Sequence, residues 1–276
     1  MVDRFSSCGL RQTRRISFAG LEAERVVRIG IATFERALTA CPGSAHTFLV
    51  TIGARRSALA LAQVREAEDF MRLIMPHARF TLATMDTPGD RDRVTPLPDV
   101  TDEDFFTRDL DKALLDGQID MAVHSAKDLQ PHLPTGLVLG AMLPSFAPWE
   151  CLVACDAGSL AALPAGAVVG TSSARRREWL KTTRADLVPR EIRGNVPDRL
   201  AQLEAGEYDA LILAAAGLIR LGWANRITQV FGIDEFPPTA GQGSLALVVR
   251  TDDRLLREAL MPLDIREHIE ERRASR

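Results

Sequence analysis

The segment VVGTSSARRREWL, residues 168–180, decides how the chain is read. Val168–Val169 is a short apolar strand, Gly170-Thr171-Ser172-Ser173 is a turn of small and hydroxyl-bearing residues, and a helix follows. A strand that passes into a helix through such a turn is the repeating unit of α/β folds. The same succession recurs on both sides. Upstream, Phe48 to Ile52 and Phe80 to Thr84 read as strands, while Ala60, Val64, Ala67, Met71 and Ile74 recur at helical spacing. Phe106 to Leu115 reads as a helix with Leu110, Ala113 and Leu114 inward, and Met121 to Val123 and Leu137 to Leu143 read as strands. Downstream, Val188–Ile192, Ala210–Ala214 and Leu245–Val249 continue the series with helices between them. The pattern predicts an α/β fold with mixed, largely parallel sheets. It shows no internal repeat and no low-complexity tract.

The chain has 276 residues, 46% apolar and 26% charged, enough for two domains of ordinary size. No uncharged apolar run reaches the roughly 18–20 residues that a membrane-spanning helix needs. With 34 basic against 37 acidic residues the net charge is −3, which argues against a nucleic-acid coat but leaves room for a local basic patch. Of the 34 basic residues only Lys112, Lys127 and Lys181 are lysines, leaving 31 arginines, so each lysine merits attention. The four cysteines, Cys8, Cys41, Cys151 and Cys155, are too scattered for a disulfide framework and lack zinc-ligand spacing, so no metal is expected. Reduced thiols in a cytoplasm are the expectation. The first 46 residues carry Arg4, Arg11, Arg14 and Arg15 among serines; this faintly resembles an organelle transit peptide but reads better as a dispensable extension.

Four stretches carry chemistry. From Arg175 to Arg199 the chain holds eight basic and four acidic residues, a local charge of +4 in 25 residues. Above the helix N-terminus, backbone N–H groups and the Thr171, Ser172 and Ser173 hydroxyls favour an anion, and Arg175 and Arg176 could clamp its carboxylates or phosphates. A solvated helix face with an ordinary serine cap is the plainer alternative. Arg193-Gly194-Asn195 follows a strand at the end where open α/β sheets bind ligands, and Thr239-Ala240-Gly241-Gln242-Gly243 is a similar glycine-rich turn. Either could be only a turn. Ile52-Gly53-Ala54-Arg55-Arg56-Ser57 repeats the strand–arginine–hydroxyl–helix logic and suggests a second half-site for a polyanion. Finally, Val123-His124-Ser125-Ala126-Lys127-Asp128 leaves a buried strand with a lysine beside an acid. Such an aspartate would stay ionised near cations, stabilise a developing positive charge and take part in proton transfer. The plainer alternatives are a core histidine and a surface turn.

Together these segments resemble the hydroxymethylbilane synthase (porphobilinogen deaminase) family. The matching pieces are IGARRSALALAQ (52–63), LDKALLDGQIDMAVHSAKDL (110–129), VVGTSSARRREWL (168–180), IRGNVPDRLAQLEAGEYDALILAAAGLIRLG (192–222) and TAGQGSLAL (239–247), in the family's order over residues 47–261. The resemblance implies an enzyme of tetrapyrrole and haem biosynthesis that joins four porphobilinogens head to tail into hydroxymethylbilane, releasing ammonia each time. It implies two lobes similar to periplasmic binding proteins with a cleft between them, and a dipyrromethane cofactor held by a cysteine of a smaller third domain. The implied division is an extension over 1–46, domain 1 over 47–143 plus 244–261, domain 2 over 144–243, and the start of domain 3 over 262–276. Asp128 matches the catalytic aspartate. Arg55 and Ser57, with Ser125 and Lys127 nearby, match cofactor-binding residues of domain 1. Thr171, Ser172, Ser173, Arg175, Arg176, Arg193, Arg199, Ala240 and Gly241 match the domain 2 lining.

The sequence also departs from the family pattern. The glycine- and lysine-bearing loop GGKGLF corresponds here to Thr101-Asp102-Glu103-Asp104-Phe105-Phe106, and RxDPRD to Ser145-Phe146-Ala147-Pro148-Trp149-Glu150. The chain stops at Arg276, Ile269 to Arg276 resembles the start of the third domain, and no cysteine follows Cys155, so a covalent tether is not expected within it. The implied partners are porphobilinogen and polypyrrole intermediates, with no nucleic acid or membrane, in a cytoplasmic monomer to which a separate polypeptide could supply the third domain. The competing expectation is a non-catalytic homologue that binds a pyrrolic or other polycarboxylate ligand.

Overall fold

The computed structural model describes residues 49–92, 95, 102 and 104–266. The readings made for the N-terminal extension, for Cys8 and Cys41, for Thr101 and Glu103, and for Ile269 to Arg276 lie outside these residues. In chain order the elements are β1 (Leu49–Arg55), α1 (Ala58–Ile74), β2 (Arg79–Met85), α2 (Pro88–Arg91), α3 (Arg108–Leu115), β3 (Met121–Ser125), β4 (Leu137–Met142), β5 (Glu150–Ala154) and β6 (Val168–Gly170). There follow α4 (Ala174–Thr183), β7 (Val188–Arg190), α5 (Val196–Glu204), β8 (Ala210–Ala214), α6 (Ala215–Arg220), β9 (Gln229–Val230), β10 (Leu245–Arg250) and α7 (Arg254–Leu260).

They form two compact units. Among the described residues the second holds 149–237 with Thr95, and the first holds 49–92, 102, 104–148 and 238–266. The first unit is built on a five-stranded sheet of order β2-β1-β3-β10-β4. β1 pairs in parallel with β2 and β3, and β10 runs antiparallel between β3 and β4. Four of the five strands therefore share one direction. Alternation along β10 sorts its side chains: Leu245, Leu247 and Val249 pack with Val64, Ala67 and Met71 of α1 and Leu256 and Leu260 of α7. Val248, together with Ala122 of β3, packs on the other face against Leu110, Ala113 and Leu114 of α3. Helices cover both faces, which is why these strands read as continuous apolar runs. The α1 residues spaced by three and four are the buried ones, and Ser57 starts the helix by accepting a hydrogen bond from the Ala60 N–H.

The second unit repeats the plan in the order β7-β6-β8-β5-β9, with β6 parallel to β7 and β8, and β5 antiparallel to β8 and β9. Leu152, Val169 and Ile212 face a cluster closed by Leu180, Phe231 and Phe236; Cys151, Leu211 and Leu213 face Leu200, Leu203 and Leu218. β5 and β9 are the strands that the sequence pattern missed. The ECLVA run of β5 is buried on both faces and therefore has no alternation to reveal it. Among the described residues no helix is long and apolar enough to cross a membrane.

Candidate active site

In the first unit the β3 strand ends at Ser125 and turns sharply through Ala126–Asp128. The Ser125 hydroxyl accepts a hydrogen bond from the Gln63 side chain at 2.8 Å, and the Ala126 N–H donates to the Ser244 carbonyl at 3.0 Å. Lys127 and Asp128 are exposed. Asp128 makes no hydrogen bond or ion pair among the described residues, so the fold leaves its carboxylate unused. Ala240 and Gly241, which the resemblance assigned to the domain 2 lining, belong to this first unit. Gly241 has φ +71°, and a Cβ there would lie 3.1 Å from the backbone N of Lys127. The 126–128 turn is thus held from above by a second turn that only a residue without a side chain can make.

His124, one residue before Ser125, is buried and its Nε2 has no hydrogen-bond partner. Burial first, and then the charge of Arg55, lower its pKa to about 4, so it is a neutral core imidazole. Arg55 is not an unmatched cation. Its guanidinium donates from Nε to Asp90 Oδ2 at 2.9 Å and from Nη2 to Oδ1 at 2.5 Å, and it lies 4.8 Å from the centre of the Phe106 ring. Burial works against ionising Asp90, but the bonds and charge of Arg55, with help from Thr87, hold its carboxyl below the usual value. Ser57 is occupied as the α1 cap.

The second unit gathers the arginines around the end of β6. Thr171 is fully buried; its N–H donates to the Arg190 carbonyl at 2.9 Å and its hydroxyl accepts from the Ser173 N–H at 3.3 Å. Ser172 donates to the Ile192 carbonyl, and Ser173 caps α4 by accepting from the Arg176 N–H at 3.5 Å. All three hydroxyls expected to face a ligand therefore fix the turn and the helix start. Arg175 and Arg176 share one buried carboxylate, Glu150 at the start of β5: Arg175 bonds Oε1, and Arg176 Nη2 lies 2.7 Å from Oε2. Arg176 also donates to the Ile212 carbonyl at 3.0 Å, and Arg175 to the Pro237 carbonyl at 2.6 Å. Arg177 pairs with Glu191 at 2.7 Å. The next turn is set by Gly194, whose φ of +100° and closeness to Asp198 (2.7 Å from an added Cβ) suit only glycine. Beyond it Asp198 accepts from the Asn195 N–H at 3.0 Å to start α5, and Arg199 Nε donates to the Gly194 carbonyl at 2.8 Å. Arg199 is pushed down to about 10 by burial and by the like charges of Arg176 and Arg193, against the pull of Glu191 and Tyr208. Positive charge is in excess here, and an anionic ligand would relieve it.

Sequence reasoning missed Glu150, Asp90 and Gln63, the residues that hold the expected ones in place. Glu150 had one signal, an acid directly before an apolar run. The cysteines also divide. Cys151 is buried, bonded to the Leu213 carbonyl at 3.3 Å, and burial raises its thiol to about 12. Cys155, four residues on, is exposed because β5 ends at Ala154. Among the described residues no group of His, Cys, Asp and Glu could hold a metal ion.

Comparison with known proteins matches residues 50–258 to the family described as porphobilinogen deaminase, dipyrromethane cofactor binding domain. A porphobilinogen deaminase from Nitrobacter hamburgensis is 46% identical over 209 residues, covering 74% of this chain and 66% of the relative, so the chain spans just under two thirds of that relative's length. Among solved structures, an ABC transporter periplasmic substrate-binding protein from Coxiella burnetii is 16% identical with a TM-score of 0.47, covering 78% of this chain and 91% of its own. CbnR, a LysR family transcriptional regulator, is 13% identical with a TM-score of 0.48, covering 91% of this chain and 77% of its own. On the family match and the shared sequence, the chain belongs to the porphobilinogen deaminase family and carries its dipyrromethane cofactor binding domain.

Proposed function

We propose that this chain carries out the deaminase reaction, joining four porphobilinogens head to tail into hydroxymethylbilane with one ammonia released at each addition. The observation that carries this reading is Asp128, an exposed carboxylate that no other described group neutralises, fixed on a turn held from both sides. A carboxylate so placed can accept hydrogen bonds from pyrrole N–H groups. It can also stabilise the cation left on the substrate's aminomethyl carbon as ammonia departs. The arginines of the second unit, taken by themselves, suit the acetate and propionate groups, two negative charges for each pyrrole added.

The donor set fits a dipyrromethane: the mutual repulsion of Arg176, Arg193 and Arg199 suits a molecule rich in carboxylates, to which the site offers guanidinium groups. When bound, the dipyrromethane supplies the pyrrole carbon from which the chain grows. Within the second unit Arg175, Arg193 and Arg199 offer guanidinium groups to its carboxylates; within the first, Asp128 offers an acceptor to pyrrole N–H groups. Porphobilinogen and the polypyrrole intermediates are then the ligands, and a monomer in a reducing cytoplasm is the setting that goes with this reading.

The test is to incubate the purified chain with porphobilinogen and measure its consumption together with uroporphyrin absorbance after oxidation. Turnover supports the reading. Binding of a dipyrromethane tetracarboxylate with no porphobilinogen consumed would replace it with that of a binding protein.

A further inference from the structure

Glu150 is a buried carboxylate that the proposed chemistry does not use. It is 0% exposed at the start of β5, and its two oxygens go separately to Arg175 and Arg176 in the first turn of α4. Each arginine has a second anchor: Arg176 on the Ile212 carbonyl at 3.0 Å and Arg175 on the Pro237 carbonyl at 2.6 Å. Arg175 also lies 4.6 Å from the centre of the Phe236 ring, which stacks on Trp179 at 4.0 Å. Arg176 is only 7% exposed, whereas the Arg175 side chain is 35% exposed. One guanidinium is therefore locked inside, and the other is held rigidly while still reaching solvent.

We infer that Glu150 is a positioning residue for ligand selection: it fixes Arg175 and Arg176 in one arrangement, so that carboxylates meet a preset pattern of guanidinium groups. The inference rests on the reading that this surface binds pyrrole carboxylates. Two physical effects support it. An arginine ordered before binding loses no side-chain freedom when the ligand arrives, which favours the ligand whose carboxylates match the pattern. In addition, Arg176 and Arg193 press their like charges on Arg199, which is held below its usual range by burial first and by this repulsion second. Without the Glu150 charge the cluster would attract any anion more strongly but would select less between them.

The test compares two probes, a synthetic dipyrromethane bearing two acetates and two propionates, and citrate, by calorimetry. In Glu150→Gln the dipyrromethane affinity is expected to fall about tenfold while citrate binds as well or better, so their ratio collapses at least about tenfold. Glu150→Asp keeps the charge with a shorter reach and should lie between Glu150→Gln and the wild type. A wild-type chain that does not bind the dipyrromethane overturns the functional reading itself. A wild-type chain that binds it, with an unchanged ratio in Glu150→Gln, overturns the role of Glu150 alone. Should Glu150→Gln fail to fold, Arg175→Lys decides: it keeps the charge but loses the fork that spans Glu150 and Pro237, and an unchanged ratio there sinks the inference.

Discussion

The two units share a strand order but use their strand ends in opposite ways. In the first unit the cation at the end of β1, Arg55, is matched by Asp90, while the acid after β3, Asp128, is left unmatched. In the second unit the acid, Glu150, is buried and matched twice, while the arginines outnumber the acids around them. One topology thus presents a spare negative charge in one unit and a spare positive charge in the other. The fold supplies only the place; local pairing decides which charge is left for a ligand.

The largest expected effect tests the spare acid. Asp128→Asn should reduce porphobilinogen turnover by about 10²-fold or more, as loss of a group acting in the transition state does, while dipyrromethane tetracarboxylate binding changes less than about threefold. Equal losses in rate and binding would show that Asp128 belongs to ordinary ligand contact.

Next come the matched arginines. Arg176→Ala leaves Glu150 buried with one partner and should cost about 3 kcal/mol of stability by denaturant titration. Arg55→Ala breaks a pair that is less deeply buried and should cost about 2 kcal/mol. The Arg55 contribution requires an ionised Asp90. Because that carboxyl's pKa is lowered on folding, the contribution is complete above its unfolded value of 3.8 and is lost as pH falls through the folded value. The wild type and Arg55→Ala should therefore converge in strong acid. Equal costs for the two variants at pH 7 would erase the distinction drawn between the units.

A smaller effect separates spare from matched positive charge. Arg199→Ala should weaken dipyrromethane tetracarboxylate binding at least about tenfold, the scale of one charge-assisted hydrogen bond. Arg55→Ala, whose charge is already answered, should weaken it less than about threefold. The reverse order would place the ligand's carboxylates on the first unit.

The smallest effect is a pH slope confined to the first unit, since residues 149–237 contain no histidine. His124 has a folded pKa of about 4 against an ordinary 6.5, so the unfolded chain binds the extra proton between these values and stability falls as pH drops through that window. From pH 6.5 to 5 the loss should be about 1–2 kcal/mol, and His124→Asn should remove it. A signal assigned to His124, by its loss in His124→Asn, that titrates near 6.5 in the folded protein would contradict its burial.

Much of this protein was legible from its residues alone. Apolar periodicity located eight of the ten strands and the long α1 helix, because burial of a helix stripe or sheet face leaves a repeat in the sequence. The motifs VHSAKD, GTSSARR and RGN named the family and the turns that carry Asp128, Arg175 and Arg193. Tertiary structure alone decided which of those charges remain available. Arg55 meets Asp90 across 35 positions and Arg175 meets Glu150 across 25, distances over which sequence spacing predicts nothing. The antiparallel strand β5 was hidden for a related reason: a strand buried on both faces shows no alternation, and its neighbours come from distant parts of the chain. Charge is written residue by residue in the sequence, but whether a charge is spent inside the protein or offered to a ligand depends on the partner that folding brings to it.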